Sequence, residues 1–339
     1  MGIAMMMVLA GCATAPGPRS GAGLTRYEFT RPQMGVPFRL VLYAPDEPSA
    51  TRAADAAFER VARLNAILSD YDPDSEINRL CHQTPVGQPA PVSPELGFML
   101  ARSQDLARAT DGAFDVTVGP VVNLWRRARR RVELPPPELL AQARARSGWQ
   151  HLRFDARHRT VTFLVADMRL DFGAIAKGYA ADEALRILRE HGLPRALVGA
   201  AGDVTAWDPP PGEPGWRIEI GGLDLTNAPP PRLLRLRRGA VSTSGDLFQR
   251  LEIDGRRYSH IVDPRTGIGL TDHSLVTVIA RDGTTADGLD TAASVLGPEA
   301  GLRLIEATPG AAALILRAPT GTIEVLESRR LPALLRRSR

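Results

Sequence analysis

Strand-type and helix-type patterns follow one another along this chain without a regular beat, and that irregularity excludes most architectures. Alternating apolar residues predict strands at 27–29 and 38–43, linked by Pro32-Gln33-Met34-Gly35. From 50 to 68 the spacing becomes helical, with Ala54, Ala57, Phe58, Val61, Leu64 and Leu68 on one face. Further helices are expected at 94–110, with Ser93 as N-cap, at 139–147, and at 178–191, which Gly192 and Pro194 end. Strand patterns recur at 152–154, 161–165, 195–198, 216–220, 233–236, 240–242, 275–280 and 312–316, and helical ones at 287–296 and 299–307. A doubly wound parallel sheet needs strands and helices in strict alternation, and a solenoid needs a fixed repeat. Neither is present, so the expected class is α+β.

The two ends read differently from the body. An apolar run from Ile3 to Ala10 leads into Leu9-Ala10-Gly11-Cys12, an export signal whose closing cysteine resembles a bacterial lipobox, although no Lys or Arg precedes the run. The expectation is a signal peptide over 1–11, a lipidated Cys12 with a Pro/Gly-rich tether over 12–23, and residence at the periplasmic face of the inner membrane. Lipidation of Cys12 leaves Cys81 without a disulfide partner, as a small buried hydrophobe. A folded body over 24–328 would then be followed by a basic, partly disordered tail over 329–339. The net charge of +4 comes almost entirely from arginine, acids nearly balance bases, and no basic-aromatic pattern recurs. That argues against nucleic-acid binding.

Four segments carry chemistry. Leu170 to Ala180 reads as a strand-like approach to Asp171, a turn through Gly173, and a helix starting near Lys177, so backbone N–H groups and a lysine would face phosphate. The Walker A order is absent. Tyr258 to Gly267 puts His260 on a short strand that enters the turn Asp263-Pro264-Arg265-Thr266-Gly267, where a histidine could move a proton or simply fix the turn. In Thr285 to Ala292, Asp287 and Thr291 share a helix face with Asp290 beside them, a hard oxygen set suited to Mg2+; dipole stabilisation at a helix start would explain Asp287 alone. In Thr110 to Pro120, glycines bracket an extended segment in which Phe114 could face a ring system and Asp115 accept from it. The arginines of 126–131 read as a solvated helix end or loop.

Taken together and in order, these segments resemble the ApbE family of FAD:protein FMN transferases. The matching motifs are Met34-Gly35, the 69–76 loop with Tyr71, 112–120, 171–178, Thr243-Ser244-Gly245-Asp246, 259–267 and 286–291. Val36 stands where the family carries a small hydroxyl residue, and 198–203 is a loosened form of its Gly-Gly-Asp/Asn turn. The resemblance implies one large domain of mixed or antiparallel sheets with packed helices. It implies transfer of FMN from FAD to a Ser or Thr hydroxyl of a membrane-associated, flavin-carrying electron-transport protein, with release of AMP. By resemblance Ala174 (backbone oxygen), Asp287, Asp290 and Thr291 hold Mg2+, and Met34, Tyr71, Ala113, Phe114, Asp115, Asp171, Lys177, His260 and Ile261 contact FAD. His260 handles the proton and Asp290 is catalytic with it. Mg2+-dependent FAD hydrolysis, or flavin binding without turnover, are the alternatives.

Overall fold

The computed structural model describes residues 23–223, 228–246, 250–319 and 321–336; the Cys12 anchor and tether expectations fall outside them, apart from Gly23. Eight strands form one sheet in which every neighbouring pair is antiparallel: β1 (Thr25–Gln33), β2 (Val36–Ala44), β3 (Ala196–Ala200), β4 (Asp203–Ala206), β5 (Gly239–Gly245), β6 (Ser274–Ala280), β7 (Ala312–Arg317) and β8 (Glu324–Glu327). Their order across the sheet is their order along the chain. The α+β expectation is met, as one mixed domain.

Both faces of the sheet are covered, because alternate strand residues point to opposite sides. Phe38, Leu40 and Leu42 pack with helix α1 (Glu47–Leu68) and helix α6 (Ala176–Glu190), while Val276 and Val278 meet α7 (Gly283–Leu296) and α8 (Pro298–Ala307). Val41, Val241 and Ile279 face the other way, onto the hairpin of Trp216–Ile220 and Arg232–Leu236 and onto α9 (Leu331–Arg336). A satellite core joins α4 (Gly119–Arg131) and α5 (Pro137–Ala145) to Leu251, Tyr258 and Val262. The remaining helices are α2 (Glu76–Gln83) and α3 (Pro94–Ala109), whose N-cap Ser93 accepts from Leu96 N as expected.

Several boundaries differ from the sequence reading. The first linker is only Met34 and Gly35, both at positive φ, because a two-residue hairpin loop of this hand matches the strand twist. Glu76, read as loop, opens α2 because Ser75 caps it. The approach to Asp171 is no strand: it has one bridge, Val118 to Arg169, and one bond from Asp171 N to Val116 O. Gly119-Pro120 begins α4 instead of closing an extended segment. The basic tail folds as α9 over 331–336, since Leu331 is fully buried with Leu334 and Leu335 beside it.

Candidate active site

The chain contains a single lysine, Lys177, among forty-two basic Lys and Arg residues. It sits in the first turn of α6, and its ammonium donates to Asp287 Oδ1 on α7 at 3.0 Å and lies 3.0 Å from Asp203 Oδ2, the first residue of β4. A compact ammonium can sit between two carboxylates where the planar guanidinium fork cannot. Gly178 N completes the hold by donating to Asp287 Oδ2 at 2.8 Å. Here two helices touch backbone to backbone: a Cβ on Gly178 would meet Gly283 O at 2.1 Å. Only glycine permits that approach, which explains the Lys-Gly pair of the motif.

Asp290 is one turn further along α7 and 1% exposed. Ser242 Oγ, on β5, lies 2.6 Å from both Asp290 Oδ2 and Asp203 Oδ1; Ser244 Oγ lies 2.9 Å from Asp290 Oδ1 and 3.2 Å from Thr291 Oγ1. Three buried carboxylates therefore share one ammonium, leaving two negative charges uncompensated. The titration behaviour follows. Burial disfavours the Lys177 cation, but Asp287, Asp203 and Asp290 outweigh it and raise its pKa. Burial raises Asp287, offset in part by Lys177, and raises Asp290 well above the usual carboxylate range, reinforced by Asp287 and Asp203. A divalent cation would supply the missing charge, so the donor set fits Mg2+. Among the described residues no three carboxylate, imidazole or thiolate groups form a cation cage by themselves. Hydroxyl and backbone oxygens, such as Thr291 and Ala174, would have to complete it.

A second group lies beyond the same turn. Asp171 Oδ1 accepts from Gly173 N at 2.8 Å, and its Oδ2 accepts from Arg126 at 3.0 Å. Arg126 also binds Asp70 and lies over the Tyr71 ring, 4.3 Å from its centroid. Burial and the neighbouring Asp171 push Asp70 up to about 6, against the pull of Arg126. Tyr71 is 75% exposed, an aromatic face held open beside the Asp171 turn. Arg126, read as part of a solvated run, is thus a fixed cation. Met34 packs against the main core from the β1–β2 turn. His260 occupies the half-buried bend between Arg256–Ser259 and Val262–Asp263, not a strand. Ile261 packs with Ala113 and with Val295 on α7, so the 112–115 and 259–263 segments both meet the far end of that helix.

Three of the expected contact residues have partners within the protein. Phe114 packs its ring in the core, 2% exposed, and Asp115 accepts from Thr117 N and Oγ1 at 2.8 and 2.7 Å. Lys177, expected to face phosphate, spends its charge on Asp203 and Asp287. Sequence reading gave Asp203, Ser242, Ser244, Arg126 and Asp70 no part in the site. Asp203 was visible as the end of the loosened turn, and the singular lysine was a further signal. Cys81, expected to be buried, is half-buried against the main core, and burial pushes its thiol up to about 11, which disfavours the thiolate at neutral pH.

A model of the ApbE family matches residues 34–315. The FAD:protein FMN transferase of Klebsiella pneumoniae is 34% identical over 301 residues, 86% of this chain and 85% of that protein. The one from Haemophilus influenzae is 31% identical over 332 residues, 95% of this chain and 93% of that protein. The apo crystal structure of the flavinyl transferase ApbE of Pseudomonas stutzeri gives a TM-score of 0.82 at 33% identity, covering 92% of this chain and 97% of that one. The flavin transferase ApbE from Vibrio cholerae gives 0.83 at 28% identity, covering 92% and 100%. The matched span takes in the β1–β2 turn, the Lys177 junction, the His260 bend and the α7 carboxylates, and with it the chain belongs to the ApbE family.

Proposed function

We propose that this protein transfers FMN from FAD to a Ser or Thr hydroxyl of a partner protein. The acceptor oxygen bonds to the FMN phosphorus, the bond from that phosphorus to the bridging pyrophosphate oxygen breaks, and AMP leaves with that oxygen. The observation that carries this reading is the buried Asp203/Asp287/Asp290 set, with Lys177 the one cation paired into it among the described residues. Such a set suits a reaction in which a highly charged pyrophosphate must be neutralised. Ala174 O, Asp287, Asp290 and Thr291 would hold Mg2+, which when bound supplies electrostatic stabilisation of the phosphoryl oxygens. Lys177 and Gly178 keep Asp287 aimed; Ser242 and Ser244 do the same for Asp290. His260 takes the acceptor proton. Tyr71 and Asp171 contact FAD together with Met34 and Ile261, and Arg126 adds a cation beside the ring of Tyr71.

Anchoring through Cys12 would hold this centre at the periplasmic face of the inner membrane, beside membrane-associated flavin-carrying acceptors. The support is the Leu9-Ala10-Gly11-Cys12 run; no helix among the described residues is long and apolar enough to cross a membrane. The test is incubation of the anchor-free chain with FAD, Mg2+ and an acceptor domain bearing a candidate Thr, followed by in-gel flavin fluorescence after denaturation. A fluorescent acceptor band is expected. FMN and AMP released without a band would mean that water is the acceptor, and FAD bound but unchanged would mean binding without turnover.

A further inference from the structure

Asp246 lies just past the end of β5, the strand that carries Ser242 and Ser244, and residues at this spacing share one face of an extended chain. Ser242 and Ser244 use that face to hold Asp290. Asp246 is 2% exposed, so its charge has to be met by partners. Arg257 donates to Asp246 Oδ2 at 3.0 Å, and His273 Nδ1 lies 2.8 Å from Oδ1, with Arg257 touching His273 as well. Arg257 also reaches the exposed Glu252 at 3.5 Å. Arg257 belongs to the strand Arg256–Ser259, which delivers His260 directly after Ser259. His273 immediately precedes β6, whose Leu275 pairs with Gly245. Besides backbone bonds such as that from Ser259 N to Leu270 O, the other face of the same hairpin is held by packing, Tyr258 against Trp125 at 5.4 Å. Packing is non-directional, whereas a buried charge pair fixes an angle.

We propose that Asp246 is a positioning residue which, through Arg257, sets the strand leading to His260, so that β5 holds both the proton acceptor and the Asp290 centre. This rests on the role given to His260 above. It links Asp290, Ser244, Asp246, Arg257 and His260 through one strand and one hairpin.

The experiment is a double-mutant cycle in the labelling assay, using the whole anchor-free chain. Asp246→Asn keeps the side-chain shape and removes the charge. The expected result is a fall in kcat of roughly 10-fold or more with KM for FAD within about 3-fold, and in a His260→Ala background a further loss below about 2-fold. The same loss in both backgrounds would mean that Asp246 only stabilises the fold, and would overturn the proposal. If the wild-type chain labels no acceptor, the transferase reading fails while this one is still tested. Histidine-selective 13C NMR, with the His260 signal identified by its loss in His260→Ala, reads the bend directly. Asp246→Asn should shift or broaden the His260 signal, and an unmoved His260 signal overturns the inference.

Discussion

At the scale of the residue, the centre is a problem of charge. Among the described residues Lys177 is the cation paired with both Asp203 and Asp287, and its side chain is 24% exposed. Removing one partner from a buried ionic set leaves uncompensated charge, which costs about 3–5 kcal/mol. Lys177→Met should therefore lower unfolding stability by about that much in urea titrations, with Mg2+ restoring part of it. A loss below about 1 kcal/mol would show the carboxylates already neutral by other means. Val132 offers an independent check far from the chemistry. It ends α4 in the left-handed conformation (φ 56°) while 63% exposed, where a β-branched residue is strained and glycine is not. Val132→Gly should raise stability by about 0.5–1 kcal/mol with labelling unchanged; a decrease would mean that the valine side chain holds α4 in place. Asp287, Asp290 and Thr291 were legible because their spacing on a helix already brings three oxygens together. Asp203 and Ser242 were not, since they meet only through the register that pairs Val241 with Val204.

Among elements, the decisive contact is that of α6 with α7. Asp182, one turn past Gly178, accepts from Gly283 N, Thr284 N and Thr284 Oγ1 and so caps α7 from outside, while Asp282 caps it from within. This explains why α7 starts earlier than its apolar pattern suggested. Its first two turns are buried nearly all round, so the sequence shows no polar face there. Burial pushes the Asp182 carboxyl up to about 6, despite those hydrogen bonds. A raised carboxyl pKa contributes stability that is full below its ordinary value near 3.8 and is lost as pH rises through about 6. Wild-type protein should thus gain stability relative to Asp182→Asn as pH falls from about 6.5 to about 4. Parallel stability curves for the two proteins would remove Asp182 from this role. Amphipathic helices such as α1 and α3 were readable directly; α2 and α9 were too short for periodicity to declare them.

For the whole molecule, the sequence indicated α+β but not the sheet order, because β2 must find β3 across about 150 residues of chain, a non-local pairing that no local pattern encodes. The site itself is made by the pairing of β4 with β5, with α6 and α7 above them, so that Asp203, Ser242, Lys177 and Asp290 converge from four elements. The single measurement that bears most directly on this account compares Asp290→Asn with wild type for FAD affinity and for FMN transfer in saturating Mg2+. If the carboxylate serves the reaction, transfer should fall by roughly 100-fold or more while the Kd for FAD changes by less than about 5-fold. Equal loss of binding and transfer would contradict it, making Asp290 part of a binding pocket or of the fold and leaving the chemistry to be sought elsewhere.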